Sequence, residues 1–360
     1  MDTPDVVVAG AGVSGATLAY EAARRGFSVE VIDVARRYSK ACGDAVTIRD
    51  ETLRIVRETD SEITKVKRFL IAVDGEVIEE FTLGAPAWLI VDKAGMVMRL
   101  RELAEAEGAR IRHGHWRGER GSLATVDARG PYARPYRESV LLYRAISPAE
   151  WPSDTALLDF AVHERGVYWI FPASGDGMLV NVGAGFEGIR DAGEIKRRVS
   201  GYLAKWTGAP LAPRDERGAP MQLSAPVQLS RGRVYAVGEA AGILLRTGGE
   251  GNRPGMLSAI AFAQALSEAS ELSELEKLYR ERVSRLLDEV ETSLAILKIV
   301  SSARPQTASE LLNSLPSWFW RDFVRARVYK STVLKIAATT PGAGLSLLKA
   351  LLDKLRKLPY

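Results

Sequence analysis

Cysteine is nearly missing from this 360-residue chain: Cys42 is the only one, so no intrachain disulfide and no multi-cysteine metal site can form. Histidine is almost as scarce, with His113, His115 and His163 alone, which speaks against a structural zinc site. No apolar run reaches the roughly 18 residues that a membrane-spanning helix needs. The chain runs from Met1 into an apolar strand without the basic, apolar and cleavage regions of a signal peptide, so a cytoplasmic protein that does not cross a membrane is expected. Internal repeats and low-complexity tracts are absent too. Charge of one sign is in short supply: 49 Lys and Arg against 45 Asp and Glu leave a net +4. No zinc finger, RNP motif or basic helix of a known type accompanies that excess, so nucleic acid is not an expected partner. What remains, 46% apolar and 26% charged residues, is ordinary for a globular protein. The length allows two domains, or a large one with an insertion.

The first unit present is a nucleotide signature. The short β-rich run 5-DVVVAG-10 leads into 10-GAGVSG-15, a G-x-G-x-x-G, and then into a helical stretch with small residues on one face. A second strand, 28-SVEVID-33, ends in an acid 23 positions after Gly10. Strand, glycine turn, helix, strand and acid together form the context that a dinucleotide site requires. Gly10 allows the tight turn, Gly12 lets backbone approach a pyrophosphate, and Gly15 lets helix and strand pack closely. The N-terminus of the helix over 16–26 offers free N–H groups to phosphates, with Val13 of the turn a further candidate cofactor contact, and Asp33 is placed to accept hydrogen bonds from ribose hydroxyls. An acid there disfavours the extra phosphate of NADP.

Far along the chain the same grammar returns. The strand 234-VYAVG-238 precedes the glycine-rich loop 239-EAAGILLRTGGEGNRPG-255 and a helix rich in small residues. Here the sequence resembles flavoproteins of the p-hydroxybenzoate hydroxylase type, and in particular their geranylgeranyl reductase branch. Besides VYAVGEAAG and TGGEGNRPGML, three segments carry the resemblance: the K-x-C-G element in 38-YSKACGDAV-46, the D-A-x-G-P motif in 124-ATVDARGPYA-133, and the W-x-F-P…G-D-G…N-V-G-x-G signature in 167-VYWIFPASGDGMLVNVGAGF-186. The resemblance covers about residues 5–270. It implies an α/β, doubly wound FAD-binding domain with an antiparallel-sheet substrate domain and C-terminal helices. It also implies FAD as cofactor, held through Lys40, Cys42, Gly43, Lys93, Asp127, Glu239, Gly251 and Asn252, and a substrate wall that includes Trp169, Phe171 and Pro172. Several positions depart from the family pattern. Glu239 stands where Asp is usual, Lys93 where an Arg touches FAD, Val167 and Ala173 where the reductase signature has Tyr and Lys, and Asn252 where Ile is common.

The expected organisation is an FAD domain from residues 1–50, 92–134 and 215–275, a substrate sheet from 51–91 and 135–214, and a helical region over 276–360. A hairpin is predicted to turn at Asp74-Gly75, and helices over 191–206, 272–300 and 308–340, the last interrupted at Pro316. The tail 345-LSLLKALLDKLRKLPY-360 has amphipathic spacing with a basic polar side. It fits either a helix docked on the protein's own core or peripheral contact with a membrane surface. The cluster 318-WFWRDF-323 is similarly open between cavity wall and interfacial anchor.

No acid, base and nucleophile set stands out, as suits an enzyme whose cofactor performs the difficult step. The resemblance implies reduction of carbon–carbon double bonds in prenyl chains, with archaeal-type ether lipids as the substrate class. Such an alkene has no carbonyl to polarise, so the protein must supply an apolar tunnel, placement and a proton donor. Cys42 is the candidate catalytic residue, as proton donor or as a contact to the flavin. A small buried hydrophobe is the plainer role for a lone thiol. Two other readings stand beside this one: an aromatic monooxygenase on the same fold, and an isoprenoid-binding protein without flavin. The electron donor is left between NAD(P)H and a ferredoxin-like carrier.

Overall fold

A computed structural model describes residues 3–133 and 139–339; the amphipathic tail over 345–358 lies outside them. Among the described residues the strands form sheets of six, seven and three members.

The six-stranded sheet is parallel but for one edge. It contains β1 (Val6–Ala9), β2 (Val29–Asp33), β8 (Arg110–His113), β9 (Ala124–Asp127), β15 (Ser230–Arg231) and β16 (Val234–Ala236), in the order β15-β16-β9-β1-β2-β8. β1 and β9 are buried throughout, and β1, VVVA, accordingly reads as an unbroken apolar run rather than an alternating one. Three helices pack on this sheet and on one another: α1 (Val13–Ala23), α3 (Lys93–Ala106) and α5 (Asn252–Glu268). Small residues let α1 approach α5 closely, and the long α6 (Leu272–Ser302) covers α5.

The seven-stranded sheet has the order β14-β10-β13-β12-β11-β5-β6. Its members are β5 (Arg68–Val73), β6 (Glu76–Thr82), β10 (Ser139–Pro148), β11 (Thr155–Ala161), β12 (Gly166–Pro172), β13 (Leu179–Phe186) and β14 (Asp215–Gln222). All neighbours are antiparallel except β11 and β5. The β5–β6 hairpin turns at Asp74 and Gly75, both in the left-handed region at φ 51° and 82°, the geometry of a primed turn. The helix α4 (Ala192–Thr207) seals one face of the sheet. The other face meets α7 (Pro305–Asn313), α8 (Ser317–Val324) and α9 (Lys330–Thr339). The remaining small sheet has the order β3 (Ala45–Thr47), β7 (Trp88–Val91) and β4 (Glu62–Val66), with α2 (Asp50–Glu58) leading from β3 to β4 and the β5–β6 hairpin lying between β4 and β7 in the chain.

Three details differ from the sequence reading. The stretch 215–222, assigned to the nucleotide domain, is β14 at the edge of the large sheet; Pro220 fits there because an edge strand need not donate on both sides. Residues 62–66 and 88–91 belong to the small sheet rather than to the substrate sheet. The last helical stretch breaks a second time after Val324, where Ala326 takes φ 49°. No helix among the described residues is long and apolar enough to cross a membrane.

Candidate functional site

The glycine turn after β1 is shaped by contact rather than by flexibility. Gly10 sits at φ 99°, and a Cβ there would lie 2.7 Å from the Ala128 carbonyl oxygen on the neighbouring β9 turn. At Gly15 a Cβ would overlap the Gly10 carbonyl. Gly12 caps α1 without a side-chain hydrogen bond; a Cβ there would meet the Tyr38 ring at 3.5 Å. The first turn of α1 therefore presents its N–H groups and its positive dipole end to open space. Val13 and Ser14 line that space with Gly10 and Gly12.

Asp33 ends β2 beside this turn. Its carboxylate accepts hydrogen bonds from the Ala11 and Ala35 amides, at 2.5 and 2.6 Å. Arg101 of α3, 4% exposed, reaches under both loops. It donates to the Ala11 carbonyl at 2.7 and 2.9 Å, to those of Ala35 and Arg36 at 3.2 Å, and stands 3.7 Å from Asp33. Burial pulls its guanidinium below the usual value, against the nearby Asp33 carboxylate. The sequence reading missed Arg101. Opposite, Arg129 stacks over Trp116, 5.1 Å from the ring centre.

Glu239 lies in a short 3-10 turn after β16. One of its oxygens accepts from the Gln222 amide at 2.9 Å and the other pairs with Lys40. Burial disfavours the Lys40 ammonium, but Glu239 beside it holds its pKa above the usual value. This pair ties the second loop to the segment after β2.

The Cys42-Gly43-Asp44 segment is held from four directions. Asn252, at the start of α5, donates to the Cys42 sulfur at 3.4 Å and to the Ala45 carbonyl at 2.9 Å. Asn181 of β13 donates to the Cys42 carbonyl at 3.0 Å and to the Asp44 carboxylate at 3.1 Å. Lys93, buried at the start of α3, lies 3.1 Å from Asp44 Oδ1 and 5.4 Å from the centre of the Tyr38 ring. Burial works against the Lys93 charge, but Cys42, Tyr38 and Asp44 around it raise its pKa on balance. Arg144 of β10 stands 3.6 Å from Asp44. Asp44 adopts φ 57°, a conformation that Asp tolerates better than most residues.

These parts border one cavity of about 670 Å³, within the range of ligand sites. The glycine turn, Asp33, Arg101 and Trp116 line one end. Trp88, Leu158, Trp169, Phe171, Phe323 and Val324 form an apolar chamber elsewhere in it. Lys40, Cys42, Gly43, Lys93, Glu239, Gly251 and Asn252 also line it. In the chamber, Trp88 and Phe171 meet edge-to-face at 5.4 Å. Both indole N–H groups are engaged, Trp88 with the Val324 carbonyl at 2.6 Å and Trp169 with Asn181 at 3.0 Å, so the chamber receives ring surface rather than donors. Phe323 belongs to the wall, whereas Phe319 and Trp320 are buried core.

Two expected contacts are corrected. Pro172 is not part of this wall. Strand alternation puts Trp169 and Phe171 on the cavity face of β12 and turns Pro172 to the other, where it borders a separate smaller cavity. The Asp127 carboxylate does not face the cavity either. Arg129 takes it in a fork at 2.7 and 3.0 Å and itself lines the nucleotide end. Gly15 lies behind the turn as a packing contact, consistent with the task expected of it but without touching the cavity.

The cradle fits a dinucleotide on its own chemistry: a helix N-terminus without a competing cap, a carboxylate oriented by backbone amides, and glycines at positions where a side chain would block the turn. Comparison with known proteins agrees at the level of the fold. Residues 8–58 match the NAD(P)-binding Rossmann-like domain family. A geranylgeranyl bacteriochlorophyll reductase-like protein from Thermoplasma acidophilum superposes with a TM-score of 0.74 at 18% identity, over 97% of this chain and 100% of the other. PqsL from Pseudomonas aeruginosa, a probable FAD-dependent monooxygenase, gives 0.64 at 16% identity over 87% and 100%. CtdE, solved with FAD and a substrate, gives 0.64 at 15% identity over 94% and 99%. A search of curated proteins gives no match. The fold is therefore the α/β architecture expected, a Rossmann-like nucleotide unit joined to a large mixed sheet with helices at the C-terminal side.

Proposed function

We propose that this protein is an FAD-dependent oxidoreductase that saturates carbon–carbon double bonds of prenyl chains, with geranylgeranyl groups of membrane lipids or their precursors as substrate. The observation that carries the reading is the single cavity in which a dinucleotide cradle and an aromatic chamber share the Cys42-Gly43 segment as wall. Gly10, Gly12, Val13 and the α1 N-terminus would hold the pyrophosphate, Asp33 the ribose, and Lys40, Cys42, Gly43, Glu239, Gly251 and Asn252 the remainder of the cofactor. FAD supplies two-electron redox chemistry when bound. Trp88, Trp169 and Phe171 offer area to an apolar chain and exclude water from it. The Cys42 thiol is the protic group at the seam, with the Lys93 ammonium beside it. The reductant is NAD(P)H or a small ferredoxin-like carrier.

A monooxygenase is the second reading, favoured by the likeness to PqsL. Fold does not fix chemistry, so an experiment must separate them. The purified protein is reduced without oxygen, and a geranylgeranyl lipid is added while the flavin spectrum is followed. Bands that return with lipid alone support prenyl reduction. Bands that return only with oxygen turn the assignment to the monooxygenase. A protein that neither carries nor takes up FAD overturns both and leaves an isoprenoid-binding protein.

A further inference from the structure

Behind the Cys42-Gly43-Asp44 segment lies a second cavity of about 160 Å³, bordered by Asp44, Lys93, Arg144, Asn181, Asp215 and Arg217. Its charges balance: Lys93, Arg144 and Arg217 face Asp44, Asp92 and Asp215. An ion of either sign therefore finds no net attraction, but the hydrogen bonding is unfinished. Arg144, with its side chain 4% exposed, gives Nη2 to Asp215 at 2.9 Å, while its Nε and Nη1 find no partner. Asp44 Oδ1 is near Lys93 Nζ and accepts no hydrogen bond. Buried guanidinium and carboxylate atoms in native proteins are satisfied by protein or by water. A water needs about 10–15 Å³ and two to four polar partners, so this cavity has both the room and the partners for several.

The cavity also has a direction. The Asp215 side chain is 38% exposed and pairs with Arg217 at 3.0 Å, whereas Arg144, Asp44 and Lys93 are buried. Lys93 lines this cavity and the main one. We propose that the smaller cavity holds ordered water that carries protons from solvent at Asp215, past Arg144 and Asp44, to Lys93 and the Cys42 thiol. The proposal rests on the reading of the site as a prenyl reductase. In that reaction the alkene π bond would break and two C–H bonds would form, with FAD in its reduced form supplying the hydride and the protein the proton. Cys42 gives the proton and becomes a thiolate beside the Lys93 ammonium, and the water returns a proton to it. Asp44 and Arg144 act through Cys42 and are positioning residues.

Two measurements on the full-length flavoprotein decide it. The first is a crystal structure that resolves water: waters bonded to Asp44 Oδ1 and to Arg144 Nε and Nη1 support the proposal, and a dry cavity or new protein partners for those atoms overturn it. This readout needs no substrate. The second is anaerobic flavin reoxidation by a geranylgeranyl phospholipid, in H2O and D2O, for wild type, Asp44→Asn and Asp44→Glu. Asp44→Asn should slow reoxidation about tenfold, less than the roughly 100-fold lower bound for a direct proton-transfer group because Asp44 acts through Cys42, and enlarge the solvent isotope effect, with partial recovery in Asp44→Glu. A wild-type rate and isotope effect in Asp44→Asn overturn the relay. A wild-type flavin that lipid never reoxidises defeats the prenyl reading instead, and the water positions then decide the relay alone.

Discussion

Asn181 offers the sharpest test of how the site is held together. Its side chain is 1% exposed and joins three groups: Trp169 on the chamber wall, the Cys42 carbonyl and the Asp44 carboxylate, at 3.0, 3.0 and 3.1 Å. Asn181→Ala removes all three bonds. Two are between neutral groups, at about 0.5–1.5 kcal/mol each, and one is to a charged group, at about 1.5–3 kcal/mol. The sum spans about 2.5–6 kcal/mol, and water entering the vacated space recovers part of it, so a loss of about 3 kcal/mol is expected. Urea unfolding followed by tryptophan fluorescence reads that loss directly. Because Cys42 is the only cysteine, alkylation by a small reagent reports on the same segment without interference, and should become faster. Asn181→Leu, which fills the space but makes none of the bonds, should lose nearly as much stability. A loss below about 1 kcal/mol in both variants, with unchanged alkylation, would refute the view that Asn181 pins the Cys42 segment.

Two further predictions concern the cradle and the outer sheet. Gly15→Ala places a Cβ on the Gly10 carbonyl, and since backbone must move to relieve it, a cost of about 1–3 kcal/mol is expected together with a fall in bound flavin per protein; a fully flavinated variant would contradict the close-packing role. Asp159 is buried on β11, and burial raises its pKa from 3.8 despite the hydrogen bond from the Gly75 amide at 3.2 Å. The unfolded chain ionises this carboxyl at lower pH than the folded one, so its contribution to stability is complete below the unfolded value and is lost as pH rises through the folded one. The neutral Asp159→Asn should therefore melt higher than wild type at neutral pH and close to it near pH 3, as thermal scans at both pH values would show; a lower melting point at neutral pH would contradict the assignment.

The parts of this molecule that were legible in the sequence are those set by local pattern. Glycine positions, the acid ending β2 and the hairpin turn at Asp74-Gly75 follow from backbone geometry that few other residues satisfy. Alternation along 166-GVYWIFP-172 was equally readable and puts Trp169 and Phe171 on one face, but Pro172 follows Phe171 in the motif and by the same alternation must face away. Arg101 left no such trace. In 99-RLRELA-104 it looks like any charged residue of a surface helix, and only the fold brings the carbonyls of Ala11, Ala35 and Arg36 to it. Asp127 was visible as a motif residue, yet its partner Arg129 competes for its carboxylate from two positions away. Ala326 breaks the last helices with neither glycine nor proline to announce it, and there tertiary packing overrides local preference.

The arrangement of polar and apolar contacts separates two tasks within the one cavity. The cradle depends on backbone groups and on the charged side chains around it, Arg101, Asp33 and the Lys40–Glu239 pair. The chamber depends on ring faces whose polar atoms are already engaged. Side chains of the chamber can change size without removing a bond that the cradle needs, whereas the Cys42-Gly43-Asp44 segment takes bonds from α5 and β13 and charge from α3 and β10 at once. A Cβ on Gly43 would strike the Phe171 ring, so even the spacing between segment and chamber is fixed. On the proposed function, the chamber would set the substrate range and the segment would govern the reaction.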